Sequence, residues 1–130
     1  MTIHHIGYAV KSIPDSIKHF TELGFTPMEE AIVDNARNIT IQFLKNGDYC
    51  VELVAPLGSG RSPVSEILRK SGNQPYHICY NSSNLQEDMD NLKKQGYVVI
   101  NEPLEAIAIG NRKVTFMYHM NVGLIELVEE

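Results

Sequence analysis

A chain of 130 residues with 11 Lys+Arg against 16 Asp+Glu, a formal net charge of −5 and 43% hydrophobic residues fits one domain that buries its core without staples and is too apolar to be disordered. The acidic balance and scattered basic residues, densest at Arg112-Lys113, argue against nucleic acid and anionic membranes as partners, and no apolar run is long enough to span a bilayer. Met1-Thr2-Ile3-His4-His5 does not open a signal peptide, and Cys50 and Cys79 form neither a CxxC pair nor a disulfide framework, so a cytoplasmic location is expected.

The first expected element is an apolar strand from Ile3 to Val10. A helix follows, with Ile13, Ile17, Phe20 and Leu23 on one face, Ser12 as N-cap, Asp15 three residues on, Pro14 in the first turn and Gly24 as the stop. Strands are expected near Pro27–Val33, Asn38–Lys45 and Tyr49–Ala55, with Asn46-Gly47 as a tight turn between the last two. Ser62-Pro63 begins a short helix that Gly72 ends. Next come a strand at Tyr76–Tyr80, a helix carrying Leu85, Met89 and Leu92 up to Gly96, and strands near Tyr97–Asn101, Lys113–Tyr118 and Gly123–Val128.

The second series repeats the first. His5-Ile6-Gly7-Tyr8 returns as His77-Ile78-Cys79-Tyr80 and Leu23-Gly24-Phe25 as Gln95-Gly96-Tyr97, each 72 positions later. Val51-Glu52-Leu53-Val54 returns as Ile125-Glu126-Leu127-Val128 after 74 positions. Three matches in one order imply two copies of a strand-helix-strand-strand-strand module, roughly 1–56 and 75–130, joined by a connector over 57–74 in a single 1–130 domain.

The polar breaks in these strands are where chemistry is expected. Glu52 and Glu126 each have apolar neighbours on both faces of the strand, a pattern of buried strands in which a lone carboxylate is costly unless paired or bound to metal. His5 and His77 head the first strand of each copy. Taken singly, such a His is more often a hydrogen-bonded core residue, and such a Glu more often pairs with Lys or Arg. The repeat matches His5 to His77 and Glu52 to Glu126 with no basic residue at equivalent positions, and a pseudo-twofold would gather all four. Two imidazoles and two carboxylates suit one divalent metal ion, Zn, Co, Ni or Mn, with Fe also compatible. His4 is expected to point away from His5, His19 to be solvated and His119 to sit in a surface turn, while Cys50 and Cys79 share the faces of Glu52 and His77 as small apolar fillers.

With these residues in view, the whole chain resembles the vicinal oxygen chelate superfamily, the glyoxalase/bleomycin-resistance/dioxygenase fold, and within it the methylmalonyl-CoA epimerase branch. The likeness rests on His5-Ile6-Gly7-Tyr8-Ala9-Val10, Glu52-Leu53-Val54-Ala55-Pro56-Leu57 leading into Ser62-Pro63-Val64, His77-Ile78-Cys79, and Gly123-Leu124-Ile125-Glu126-Leu127-Val128. The resemblance implies an α+β fold of paired βαβββ modules forming a curved, cup-like mixed sheet around a metal site. It implies that His5, Glu52, His77 and Glu126 hold the metal and that substrates chelate it through adjacent oxygens.

The activity expected is that of a metal-dependent isomerase or epimerase working through an enolate on a small-molecule thioester. Glu126 is the first choice of base, and Glu52 or Asp34 would act on the opposite face. Asp34 has a second reading as a turn residue before a strand. Arg112 and Lys113, after Gly110, would meet coenzyme A phosphates or glutathione carboxylates, or else form a solvated turn. The alternative activity is that of a lactoylglutathione lyase acting on a hemithioacetal. A ring-cleaving dioxygenase and a non-catalytic small-molecule binding protein stand behind it. Related proteins often pair through these sheets, so a homodimer is expected.

Overall fold

The computed structural model describes residues 1–130, which form two compact units: Ile6–Tyr76, and Met1–His5 together with His77–Glu130. The chain pairs strands both parallel and antiparallel and carries three α-helices, an α+β composition. No helix is long and apolar enough to cross a membrane.

The Ile6–Tyr76 unit takes the end of β1 (Ile3–Ala9), then α1 (Ile13–Glu22), β2 (Thr26–Pro27), β3 (Ile32–Asp34), β4 (Ile39–Asn46), β5 (Tyr49–Pro56) and α2 (Ser65–Ser71). β5 runs parallel to β1, with Gly7 opposite Glu52, and antiparallel to β4, with Phe43 opposite Glu52. Period-two alternation sorts the side chains of β5. Val51, Leu53 and Ala55 join Val10, Ile13 and Leu44 in a core against which Ile17 and Phe20 of α1 pack. Glu52 and Val54 therefore belong to the other face, and both are buried. Each fully buried Leu or Val in such a core contributes about 1.5–3 kcal/mol.

α1 forms as its sequence directs through Phe20, while Leu23, expected on the same face, is 71% exposed. The Ser12 side chain accepts a hydrogen bond from the Asp15 N–H at 3.3 Å, and Pro14 sits in the first turn. Leu23 caps the C-terminus and Gly24 leaves it at φ +98°, where a Cβ would stand 3.2 Å from Asn46 Nδ2. That amide donates to the Leu23 carbonyl, so glycine both takes the left-handed conformation and makes room for the cap.

The second unit begins with Met1–His5, where the Thr2 carbonyl accepts from the Asn81 N–H at 2.8 Å. It continues through β6 (Gln74–Ser82), α3 (Leu85–Lys94), β7 (Val98–Val99), β8 (Leu104–Ala106), a 3-10 turn at Ile107–Ile109, β9 (Arg112–His119) and β10 (Gly123–Glu129). β10 is parallel to β6, with Glu126 opposite Cys79, and antiparallel to β9, with Glu126 opposite Phe116. Leu85 and Met89 of α3 pack on Met117, Ile125 and Leu127, leaving Glu126 on the other face of β10.

The main departure from expectation is the same in both copies. The run expected at Pro27–Val33 is two short strands, β2 and β3, each antiparallel to β4. Pro27 has no N–H to continue the ladder, and the Gln42 side-chain amide donates to the Glu29 carbonyl where the edge leaves the sheet. The run expected at Tyr97–Asn101 contracts to β7, and β8, which was not expected, follows Pro103. There Asn101 takes over the pairing with its side chain, whose Oδ1 accepts from the Phe116 N–H at 3.0 Å, while its carbonyl accepts from Thr115 Oγ1 at 2.6 Å. α3 is capped by Asn84, whose side chain accepts from the Glu87 N–H at 3.2 Å.

Candidate metal centre

His5 on β1, His77 on β6 and Glu126 on β10 meet inside the second unit. Cys79 lies opposite Glu126 across the parallel pair and two residues from His77, so the period of the strands turns His77 and Glu126 to one face. The two imidazole Nε2 atoms are 3.1 Å apart. Glu126 Oε2 is 3.2 Å from Nε2 of His5 and 3.0 Å from Nε2 of His77. The three residues are only 1%, 4% and 4% exposed. The His77 ring meets His5 and Phe116 edge-on, with centroids 5.2 Å apart in each case, so an aromatic wall backs the cluster.

Burial pushes the Glu126 carboxyl up, but hydrogen bonding to His5 and His77 and the charge of both rings outweigh it and hold the carboxyl at about 2. The carboxylate is therefore the form present at neutral pH. Three atoms with lone pairs, mutually 3.0–3.2 Å apart, have the spacing of neighbouring ligands held at about 2.0–2.2 Å around one ion. The donor set fits a borderline transition metal, and these residues belong to a group able to hold a metal ion.

Glu52, the fourth residue expected as a ligand, lies in the Ile6–Tyr76 unit, 5% exposed at the middle of β5. Asp34, at the end of β3, is buried and bound to its own turn: Oδ1 accepts from the Arg37 N–H at 3.1 Å, and Oδ2 pairs with the Arg37 guanidinium at 2.9 Å. That is the arrangement of a turn residue.

Arg112 is held by protein groups. Its Nε donates to the Ile109 carbonyl at 3.2 Å, Nη1 to the Glu129 carbonyl at 3.4 Å, and Nη2 lies 3.2 Å from His4 Nε2. Lys113 is exposed, opposite Glu105 in the β8–β9 pair.

Sequence reasoning passed over His4. Alternation sets it on the face away from His5, yet its Nδ1 stands 2.8 Å from His5 Nδ1. Arg112, His4 and His5 thus form a line of contacts ending at the cluster, and a group that orients the second nitrogen of a ligating imidazole fixes its ring. His19 is exposed and bonded to Glu22, whereas His119, expected in a surface turn, ends β9 half-buried, with its ring 4.8 Å from that of Tyr97 and its Nδ1 accepting from the Asn121 N–H. Cys50 Sγ lies 3.8 Å from Met28 Sδ, and Cys79 is fully buried.

The chain belongs to the glyoxalase/bleomycin resistance protein/dioxygenase superfamily, whose family model matches residues 4–116. It is 28% identical to the uncharacterized protein YqjC of Bacillus subtilis, over 98% of this chain and 91% of that one. It is 26% identical to the ethylmalonyl-CoA/methylmalonyl-CoA epimerase of Cereibacter sphaeroides, over 96% of this chain and 95% of that enzyme. Its fold matches the crystal structure of a hypothetical protein from Bacillus halodurans C-125 with a TM-score of 0.86, at 28% identity, covering 99% of this chain and 94% of that one.

Proposed function

We propose that the chain is a metal-dependent epimerase of a 2-alkylmalonyl-CoA thioester, methylmalonyl-CoA being the first substrate to test. The observation that supports this most is the convergence of Glu126 Oε2 on two buried imidazole nitrogens at 3.2 and 3.0 Å. The likeness to the Cereibacter epimerase over nearly its whole length points the same way.

His5, His77 and Glu126 hold the ion, and Glu52 is the fourth ligand, since it occupies in the first repeat the position of Glu126 in the second. Bound there, a divalent metal supplies Lewis acidity toward a carbonyl oxygen, which makes the proton on the adjacent carbon more acidic. Glu126 is the base that takes this proton, because its carboxylate stands against both imidazoles at the centre of the cluster and is walled from water. Inversion needs a second acid to return a proton to the opposite face. Glu52 would fill that part while protonated and off the ion, the proton taken by Glu126 passing afterwards to solvent, in preference to Asp34, whose carboxylate would first have to release Arg37. Arg112 acts on the site through His4 and His5.

The test is exchange of the C2 hydrogen of methylmalonyl-CoA with deuterium from solvent, run beside an assay with a glutathione hemithioacetal. Exchange without lyase activity is expected. Lyase activity without exchange would replace the epimerase reading with a glyoxalase one.

A further inference from the structure

His4, His5 and Cys79, all in the second unit, form another group of side chains able to hold a metal ion. We propose that they bind a soft, thiophilic cation on the side of the His5 ring away from His77 and Glu126. The proposal does not depend on the thioester reading above.

The two positions use opposite nitrogens of one ring. His5 Nε2 faces His77 Nε2 at 3.1 Å and Glu126 Oε2 at 3.2 Å. His5 Nδ1 faces His4 Nδ1 at 2.8 Å. Cys79 follows His77 by two residues on β6, so its thiol leaves the same face of the strand, and it is fully buried.

The spacing suits a single ion. One donor atom from each of the three residues lies within 4.8 Å of the other two. An ion bonded to sulfur at about 2.3 Å and to nitrogen at about 2.0–2.1 Å keeps those atoms no more than about 4.4 Å apart. Closing from 4.8 Å asks for a shift of at most about 0.4 Å. The imidazole nitrogens at 2.8 Å already subtend close to a right angle at such an ion.

The donor chemistry sets the class of ion. A thiolate with two imidazoles selects soft ions, whereas the carboxylate of Glu126 suits harder ones. As the sulfur–metal bond forms, the Cys79 thiol releases its proton to solvent. With the ion on His5 Nδ1, the ring carries its proton on Nε2, 3.2 Å from Glu126 Oε2, which accepts it. That is the carboxylate–histidine–metal arrangement, which orients the ring and raises its basicity. On His4 the proton then sits on Nε2, so the Arg112 guanidinium gives up its 3.2 Å contact there and keeps the Ile109 and Glu129 carbonyls. A soft ion in this position takes His5 away from the ion held with Glu126, so the two compete.

The test is titration of the metal-free full chain with Cd2+, read by the ultraviolet charge-transfer absorption of a cadmium–thiolate bond. It is run on Cys50→Ala, which silences the other thiol, 3.8 Å from Met28 Sδ. The absorption should saturate at one Cd2+ per chain and keep its affinity within about threefold when His77→Ala is added. His4→Ala should weaken it at least about tenfold. Cys79→Ser should abolish it, with a thermal melt to check the fold. Should that variant not fold, His4→Ala decides alone, since His4 is half-buried and its removal opens no cavity in the apolar core. No absorption, absorption lost with His77→Ala, absorption kept in folded Cys79→Ser, or undiminished affinity in His4→Ala would each overturn the assignment. The readout is independent of turnover.

Discussion

His5 Nε2 and His77 Nε2 face each other at 3.1 Å, and the two residues open the same repeated tetrapeptide. Glu126 Oε2 stands within 3.2 Å of both nitrogens. An ion satisfies all three lone pairs at once. Elemental analysis of the purified protein should therefore find close to one divalent transition metal per chain. His77→Ala should lower metal affinity by at least about 100-fold, since it removes a ligand outright where loss of a supporting residue alone costs 10–100-fold. A chain devoid of metal and indifferent to its addition would defeat this expectation. Removing the metal with a chelator should lower the melting temperature, and restoring it at about 100 times its Kd should return roughly 2.7 kcal/mol of stability.

Glu126→Gln separates charge from shape. The amide fills the same space beside His5 and His77 but cannot accept a proton as a carboxylate does. Deuterium exchange at the substrate carbon should fall by about 10²–10⁴-fold, the usual contribution of a positioned base, with part of the metal still bound. Measuring metal content and exchange on one preparation decides it, since exchange that falls only in proportion to metal would make Glu126 a ligand and nothing more.

The same carboxylate sets a pH dependence. Burial opposes its ionisation, and hydrogen bonds with His5 and His77 together with their charge overcome that, taking the carboxyl from 4.5 to about 2. The folded chain therefore binds this proton more weakly than the unfolded chain does. Its contribution to stability is complete above about 4.5 and is lost as pH falls from there toward about 2. Urea midpoints of the metal-free protein should drop through that window, and Glu126→Gln should flatten the drop. Identical slopes for the two proteins would show that other groups carry the acid sensitivity.

The pattern that made the site visible in the sequence is also what hid its support. Glu126 stands out because Leu124, Ile125, Leu127 and Val128 leave it no polar company, and because Glu52 repeats the arrangement. The α1 cap was equally legible, since Ser12 and Gly24 act through local geometry. His4 was not, because alternation reports which face a side chain leaves from and not where a ring tip ends, 2.8 Å from its neighbour's Nδ1. Arg112 was obscured by distance, lying 108 positions from the His4 ring it touches. The broken edge strands depend on Gln42 and Asn101 replacing backbone partners with side-chain amides, which no periodicity records. Asn84 followed three residues later by Glu87 was a capping signal in plain view.

Asp34 carries two readings that one variant separates. In the structure its carboxylate closes the β3–β4 turn through the N–H and guanidinium of Arg37, at 3.1 and 2.9 Å. Asp34→Asn keeps an oxygen able to accept from the Arg37 N–H and removes the charge that faces the guanidinium. A turn role predicts a loss of about 1–2 kcal/mol from a weakened charge-assisted bond, seen as a melting point lower by several degrees, with exchange unchanged within about threefold. A role as second base predicts the reverse, a melting point near that of the native chain and epimerisation reduced by about 100-fold or more at full metal content. Exchange can persist with one base while inversion needs two, so following loss of optical activity beside deuterium uptake makes the distinction sharper. We expect the melting point to move and the optical activity to decay at the native rate, because a carboxylate with two bonds to its own turn is ill placed to leave it on every turnover.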